Sequence, residues 1–250
     1  MRPLALIINA DDLGYDPAVT RGILQAMREG VVSSTTLMVN LAHSAPAARD
    51  ARGLAVGLHL NLARGRPTWA RFPAALLEDG ALSEARAGAL PAEVVEAETL
   101  AQLAQLEALV GQAATHVDVH KHLHRHPQVL EGLAAAARER GLPVRSLDAP
   151  MREALAARGV ATNDAFLGDA GAEAYWTPER LEAELARLPA HGVVELMCHP
   201  GYRPRTLASG YGAQREVELA TFLSPRARQA LARAGCVPTD FRVLHGRAGP

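Results

Sequence analysis

Short apolar, partly β-branched runs alternate along this chain with Ala-, Leu-, Glu- and Arg-rich stretches whose apolar positions recur at helical spacing. Residues 4–10, 34–40, 54–60, 115–120, 144–147 and 193–198 read as strands, with a seventh at 240–244. Helices are predicted over 17–28, 45–51, 92–110, 127–140, 152–157, 178–188 and 225–234. Several of these open on a proline behind a polar residue, as at Asp16-Pro17, His126-Pro127, Thr177-Pro178 and Ser224-Pro225. Proline suits a first helical turn because the N–H it lacks would have no partner there. Strand and helix in alternation predict an α/β fold, a distorted or incomplete (β/α) barrel of about seven parallel strands. We expect one domain over residues 1–250, interrupted by a long irregular stretch at 63–91. A segment of that length inside a compact domain has a task, such as covering a site or holding a partner subunit, which leaves room for a homodimer.

The polar residues fall at the carboxyl ends of these strands, where α/β barrels and open sheets place their chemistry. Asp11 and Asp12 end the first strand, His59 lies in "LAVGLHL", His120 closes "THVDVH", and His199 follows "VVELMC". Strand alternation puts His116, Asp118 and His120 on one face, with Gly57, His59 and Asn61 sharing another. Five of the ten histidines crowd into residues 116–126, a tract that would be ordinary solvated surface were it not set in an alternating apolar strand. Imidazole nitrogen and carboxylate oxygen together are the donor set of open, catalytic divalent-metal sites. A cation also explains the adjacent carboxylates of "NADDLG": it neutralises one and leaves the other free to act as a base. Helix capping is the plainer reading of a nearby acid and fits Asp16.

Composition narrows the partners. Of 250 residues, 48% are hydrophobic, enough for one substantial core. Twenty-six basic residues scattered among 27 acidic ones, for a net charge of −1, leave no basic face for nucleic acid. No apolar run approaches the roughly 20 residues that span a bilayer, so no membrane span is expected. The opening "MRPLALIINADD" runs into acid rather than a cleavage site, and a cytoplasmic location follows. Cys198 and Cys236 form no CxxC pair and read as buried thiols.

The segments "NADDLG", "REGVVSSTTLMVN", "VGLHLNL", "THVDVHKHLHRHP", "LPVRSLD", "MCHPGY" and "SGYGAQREVELATFLSP", in this order, resemble the YdjC/ChbG-type carbohydrate deacetylases, which include chitooligosaccharide deacetylase-like and HpnK-like proteins. The resemblance covers most of the chain. It implies a distorted barrel related to polysaccharide deacetylases and one divalent ion, Mg²⁺ or Zn²⁺. It also implies Asp12, His59 and His120 as metal ligands, Asp11 as catalytic base and His199 as proton donor. Arg145 matches an arginine that orients the base. Leu13, Val119 and Lys121 depart from common family residues, which bears on the substrate rather than on the proposed ligands.

The expected activity is metal-dependent hydrolysis of an N-acetyl group on an amino sugar or oligosaccharide, releasing acetate. Asp118 and His116 share a face with His120 and read either as residues that orient a ligand ring or as hydrogen-bonded core, His124 reads as a loop, ligand-supporting or helix-cap residue, and Tyr202 is one of several loop aromatics able to stack on a sugar. Trp69, Phe72, Tyr175, Trp176 and Tyr211 are others, each with the alternative of anchoring its loop. Two rival readings remain open at this level: a metal-dependent phosphoesterase or amidohydrolase of another class, and a non-catalytic sugar- or metal-binding protein.

Overall fold

The computed structural model describes residues 4–207 and 209–246. Seven strands form one parallel sheet: β1 (Ala5–Leu13), β2 (Ser34–Leu37), β3 (Val56–Leu60), β4 (Val117–Val119), β5 (Ala165–Leu167), β6 (Val193–Cys198) and β7 (Pro238–Thr239). Their order is β4-β3-β2-β1-β6-β5, with β7 paired to β1 through Leu6–Pro238 and Ile7–Thr239. Nine helices are described: α1 (Pro17–Glu29), α2 (Ser44–Asp50), α3 (Glu84–Ala87), α4 (Ala92–Val110), α5 (Pro127–Arg140), α6 (Ala149–Ala156), α7 (Pro178–Leu185), α8 (Ala213–Leu223) and α9 (Pro225–Arg233). The expected α/β barrel-like architecture is therefore present.

The sequence prediction of a strand at 144–147 is corrected. This segment runs extended across the gap between β4 and β5, but it joins β4 by a single bridge, Val117 to Val144. Pro143 brings no N–H, so a regular ladder cannot run through it. On the other side Asn163 does the pairing with its side chain, accepting from Ser146 N at 2.7 Å and donating to Ser146 O at 2.9 Å. This irregular seam distorts the barrel and delivers Arg145 to its interior. The predicted strand at 240–244 is likewise corrected: Asp240 accepts from Arg242 N and turns the chain into a 3₁₀ turn, Phe241–Leu244, so that only β7 just before it pairs.

Four helices begin at the prolines singled out in the sequence, Pro17, Pro127, Pro178 and Pro225. Besides the short α3 and β7, β5 and α8 escaped prediction. β5 is three half-buried residues, and α8 starts behind Gly212 with no side-chain cap to announce it. The stretch 63–91 is less irregular than expected. It holds α3 and a 3₁₀ turn, and the buried Glu98 carboxylate of α4 accepts Thr68 N and Trp69 N, each at 2.8 Å.

Alternate residues of each strand face opposite ways. Leu6, Ile8 and Ala10 of β1, Leu58 and Leu60 of β3, and Leu196 and Cys198 of β6 join the main apolar core under the helices. Facing inward at the amino ends of the strands, Ile7 and Val193 meet Phe241 and Leu244 in a small apolar plug. Gly57 is required where a Cβ would come within 2.4 Å of the His116 ring. No helix among the described residues is long and apolar enough to cross a membrane.

Candidate active site at the strand ends

Two adjacent strand residues normally point to opposite faces, yet Asp11 and Asp12 both line one cavity of about 540 Å³. A register shift in the β1–β2 ladder between Ala10 and Leu13 accounts for it: Asp12 sits there at φ +73°, a left-handed conformation that turns its carboxylate inward.

Asp11 is fully engaged from behind. Arg145 Nη1 donates to Oδ2 and Nη2 to Oδ1, both at 2.7 Å, and Asn9 Nδ2 donates to Oδ1 at 2.9 Å. Burial opposes the charge, but the Arg145 guanidinium outweighs it and holds the Asp11 carboxyl well below the usual carboxylate range.

Asp12 divides its oxygens. Oδ2 accepts from Arg215 Nη2 at 2.5 Å, while Oδ1 lies 3.2 Å from both His59 Nε2 and His120 Nδ1. Those two nitrogens are 3.1 Å apart. The His59 Nδ1 contact with Asp118 Oδ1, at 2.6 Å, assigns the Nδ1 proton to that bond. A neutral His59 then presents a bare Nε2 lone pair to the Asp12 Oδ1 acceptor and to His120 Nδ1, and Asp12 Oδ1 and His120 Nε2 have no hydrogen-bond partner among the described residues. Burial lowers the His59 pKa, but the surrounding negative charge of Asp118, Asp12 and Asp11 outweighs it and carries it up to about 10; such a cluster of acceptors favours a positive charge at its centre. Donors that share one ion at about 2.0–2.1 Å stand roughly 3 Å apart. The three side chains, all buried, therefore fit a small divalent cation by spacing and by chemistry.

Beneath this rim lies an ionic layer. Arg145, itself 0% exposed, touches three carboxylates: Asp11, Asp118 Oδ2 at 2.9 Å, and Glu195 Oε1 at 2.6 Å. Burial, with Asp11 and Asp118 close by, pushes the Glu195 carboxyl up to about 7 against the pull of Arg145. His199 also lines the cavity. Burial brings its pKa down to about 4 despite Asp11 and Asp12, so its ring is neutral at rest. Its backbone N–H donates to Glu218 Oε2 at 2.6 Å, and Glu218 also accepts from the hydroxyl of Tyr211, another cavity residue.

The structure thus gathers Asp11, Asp12, His59, His120, His199, Arg145 and Asp118 into one assembly. Three other sequence candidates fall elsewhere. His116 lies below the ionic layer, its ring stacked on Phe241 at 3.6 Å, where it extends the apolar plug. His124 is buried near His122 and does not line the cavity. Tyr202 does not line this cavity: its hydroxyl donates to Gln25 on α1 and Arg21 covers its ring, contacts that tie its loop to α1. Lys121 and His122, consecutive residues at φ +57° and +54°, both line the cavity, and Lys121 pairs with Glu84 of α3. Sequence reasoning missed Asn9, Glu195, Arg215 and Glu218. A single Glu inside the apolar "VVELMC" and an Asn in "IINADD" were the available signals; Arg215 and Glu218 stand in the quoted segment "SGYGAQREVELATFLSP", but with α8 unpredicted nothing local placed them at the site.

A family model described as YdjC-like protein matches residues 5–233. A chitooligosaccharide deacetylase from Serratia marcescens is 36% identical, covering 96% of this chain and 98% of that protein. A carbohydrate deacetylase from Geobacillus stearothermophilus is 37% identical, covering 97% and 99%. Among solved structures, a protein from Enterococcus faecalis V583, described as a candidate cellobiose-phosphate cleavage protein, superposes with a TM-score of 0.85 at 28% identity, covering 98% of this chain and 100% of that one. The Xyl-CE4 domain of a xylanase from the hindgut metagenome of Trinervitermes trinervoides shares the fold alone, with a TM-score of 0.52 at 11% identity over 96% of this chain and 87% of that one.

Proposed function

This chain belongs to the YdjC-like family, and from that premise we propose that its rim site hydrolyses the N-acetyl amide of an amino sugar or oligosaccharide, releasing acetate and the free amine. The observation that carries the reading is the convergence of Asp12 Oδ1, His59 Nε2 and His120 Nδ1 beside a second, separately tethered carboxylate. Asp12, His59 and His120 would hold one divalent ion, Mg²⁺ or Zn²⁺. Bound there, such an ion supplies Lewis acidity, acidifying water and offsetting negative charge on the amide oxygen.

The rest is done by the chain. Asp11, ionised and fixed by Arg145 and Asn9, takes the proton of the attacking water at its carboxylate. His199 is neutral at rest, so the acid it provides is made during turnover. The proton gained by Asp11 is the one available for the departing nitrogen, and His199, on the cavity wall, carries it there. Asp118 holds His59 in the tautomer whose Nε2 faces Asp12. Two free cysteines are consistent with the cytoplasmic setting that forms part of this proposal.

Acetate release from a panel of N-acetylated sugars, comparing metal-stripped protein with protein given Zn²⁺, Mg²⁺ or Co²⁺, tests the reading. Metal-dependent release that falls by about 10²–10⁴-fold in Asp11→Asn is the expected result. Hydrolysis of generic phosphate esters with no acetate from any sugar would overturn it.

A further inference from the structure

The guanidinium of Arg145 has five N–H groups and three carboxylates around it. Glu195 Oε1 takes the Nε–H at 2.7 Å. The four remaining hydrogens are on the Nη atoms, which face Asp11 at 2.7 Å twice, Asp118 at 2.9 Å and, from Nη2, the same Glu195 Oε1 at 2.6 Å. Those two acids serve different arms of the site. Asp11 faces the cavity directly, whereas Asp118 grips His59 Nδ1 at 2.6 Å and Thr36 Oγ1 at 3.0 Å. Arg145 comes from the irregular seam at 143–147, not from a regular strand, so its backbone alone fixes its direction weakly. Glu195, at the centre of β6 and paired on both sides by β1 and β5, is the most rigidly mounted of its partners.

We propose that Glu195 is a positioning residue that seats Arg145 by its Nε and Nη2 edge and thereby aligns two arms of the site at once, the Asp11 carboxylate and, through Asp118, the His59 imidazole. The inference rests on the roles proposed above for Asp11 and His59. The carboxylate oxygen matters here as an acceptor at a fixed reach. Gln in the same place keeps that acceptor, Asp keeps the charge but falls one methylene short, and Leu keeps the volume and loses both.

The test compares Glu195→Gln, Glu195→Asp and Glu195→Leu in full-length protein, with Zn²⁺ affinity by calorimetry on stripped protein and with kcat and KM on the best N-acetylated sugar. Residues that orient a ligand from behind typically alter affinity or activity by about 10–100-fold. Glu195→Asp and Glu195→Leu are expected to lose about that much in both kcat and Zn²⁺ affinity, with KM nearly constant, while Glu195→Gln stays within roughly threefold on both. In an Asp11→Asn background assayed at saturating Zn²⁺, the part of the kcat loss carried by Asp11 should vanish and the Zn²⁺ loss persist, because only the second arm still matters. Glu195→Asp, which retains the charge, covers the case in which Glu195→Leu does not fold. Wild-type kcat and Zn²⁺ affinity in folded Glu195→Asp would overturn the proposal, as would an equal loss in Glu195→Gln, since charge rather than placement would then be responsible. Undiminished turnover in Asp11→Asn alone would instead reject the base assigned to Asp11 and leave the Zn²⁺ comparison to decide the Asp118 arm.

Discussion

The two faces of the same strands obey different rules. On β1 the outward Leu6, Ile8 and Ala10 enter the apolar layer beneath the helices, while the inward Ile7, Asn9 and Asp11 pass from an apolar plug through a hydrogen-bonded amide to a charged rim. On β6, outward Val194, Leu196 and Cys198 contrast with inward Val193 and Glu195. An outward position asks only for apolar volume, which many residues supply. An inward position above the plug asks for a named partner on another element, because a buried charge without one is costly. The inner face therefore carries the proposed chemistry and the outer face the apolar packing, and substitutions should separate them.

The largest effect should come from the rim. His120→Ala removes a donor whose described partners are the other members of the cluster, so metal-dependent acetate release should disappear and Zn²⁺ binding, measured by calorimetry, should collapse while the far-ultraviolet dichroism is kept. Retained Zn²⁺ affinity would remove His120 from the donor set. Next is Asp11→Asn, which should lower kcat by about 10²–10⁴-fold with the bound metal retained. Parallel loss of metal would merge the two aspartates into a single role.

Much of this inner face was legible because strand alternation and strand ends are local properties. "THVDVH" and "VGLHLN" declared their polar faces, and Asp11, Asp12, His59, His120 and His199 all reached one cavity. What was not legible depends on distance. Asp11 meets Arg145 across 134 residues, and Asp12 meets Arg215 across 203. The inward turn of Asp12 needs a left-handed backbone, which Asp tolerates better than most residues but which its identity alone does not announce. His116 shows the limit of alternation, which assigns a face but not a depth: it shares a face with His120 yet lies against Phe241 in the plug.

On the outer face, Leu58 is fully buried in the main core and one residue from His59. Leu58→Ala should cost about 2–5 kcal/mol of stability, read as a fall in the urea midpoint, with kcat at a permissive temperature within about twofold of wild type if the two faces are as separable as distant sites usually are. A loss of kcat as large as that of Asp11→Asn would break the division between faces.

Asp16 sharpens the comparison from the other direction, because it is as buried as Asp11 and belongs to neither arm of the site. Its partners are backbone and hydroxyl groups: Ala18 N at the start of α1, at 2.7 Å, with Arg205 N, Thr206 N and Thr206 Oγ1 at 2.6–2.9 Å. Burial works against its charge, but these donors prevail and lower its pKa from 3.8 to about 2. The unfolded chain therefore takes up the proton first as pH falls, and the stabilisation, complete above pH 3.8, is lost as pH drops through about 2. Loss of such a cap costs about 1–2 kcal/mol, so Asp16→Ala should be less stable than wild type by that amount near neutrality, and the two should converge toward pH 2. Zn²⁺ affinity should stay unchanged, since Asp16 touches none of the three donors. A gap that persists undiminished at pH 2 would mean that the side chain acts by packing rather than charge. Loss of Zn²⁺ affinity would show that burial of an acid near the rim, not its choice of partners, is what ties it to the site.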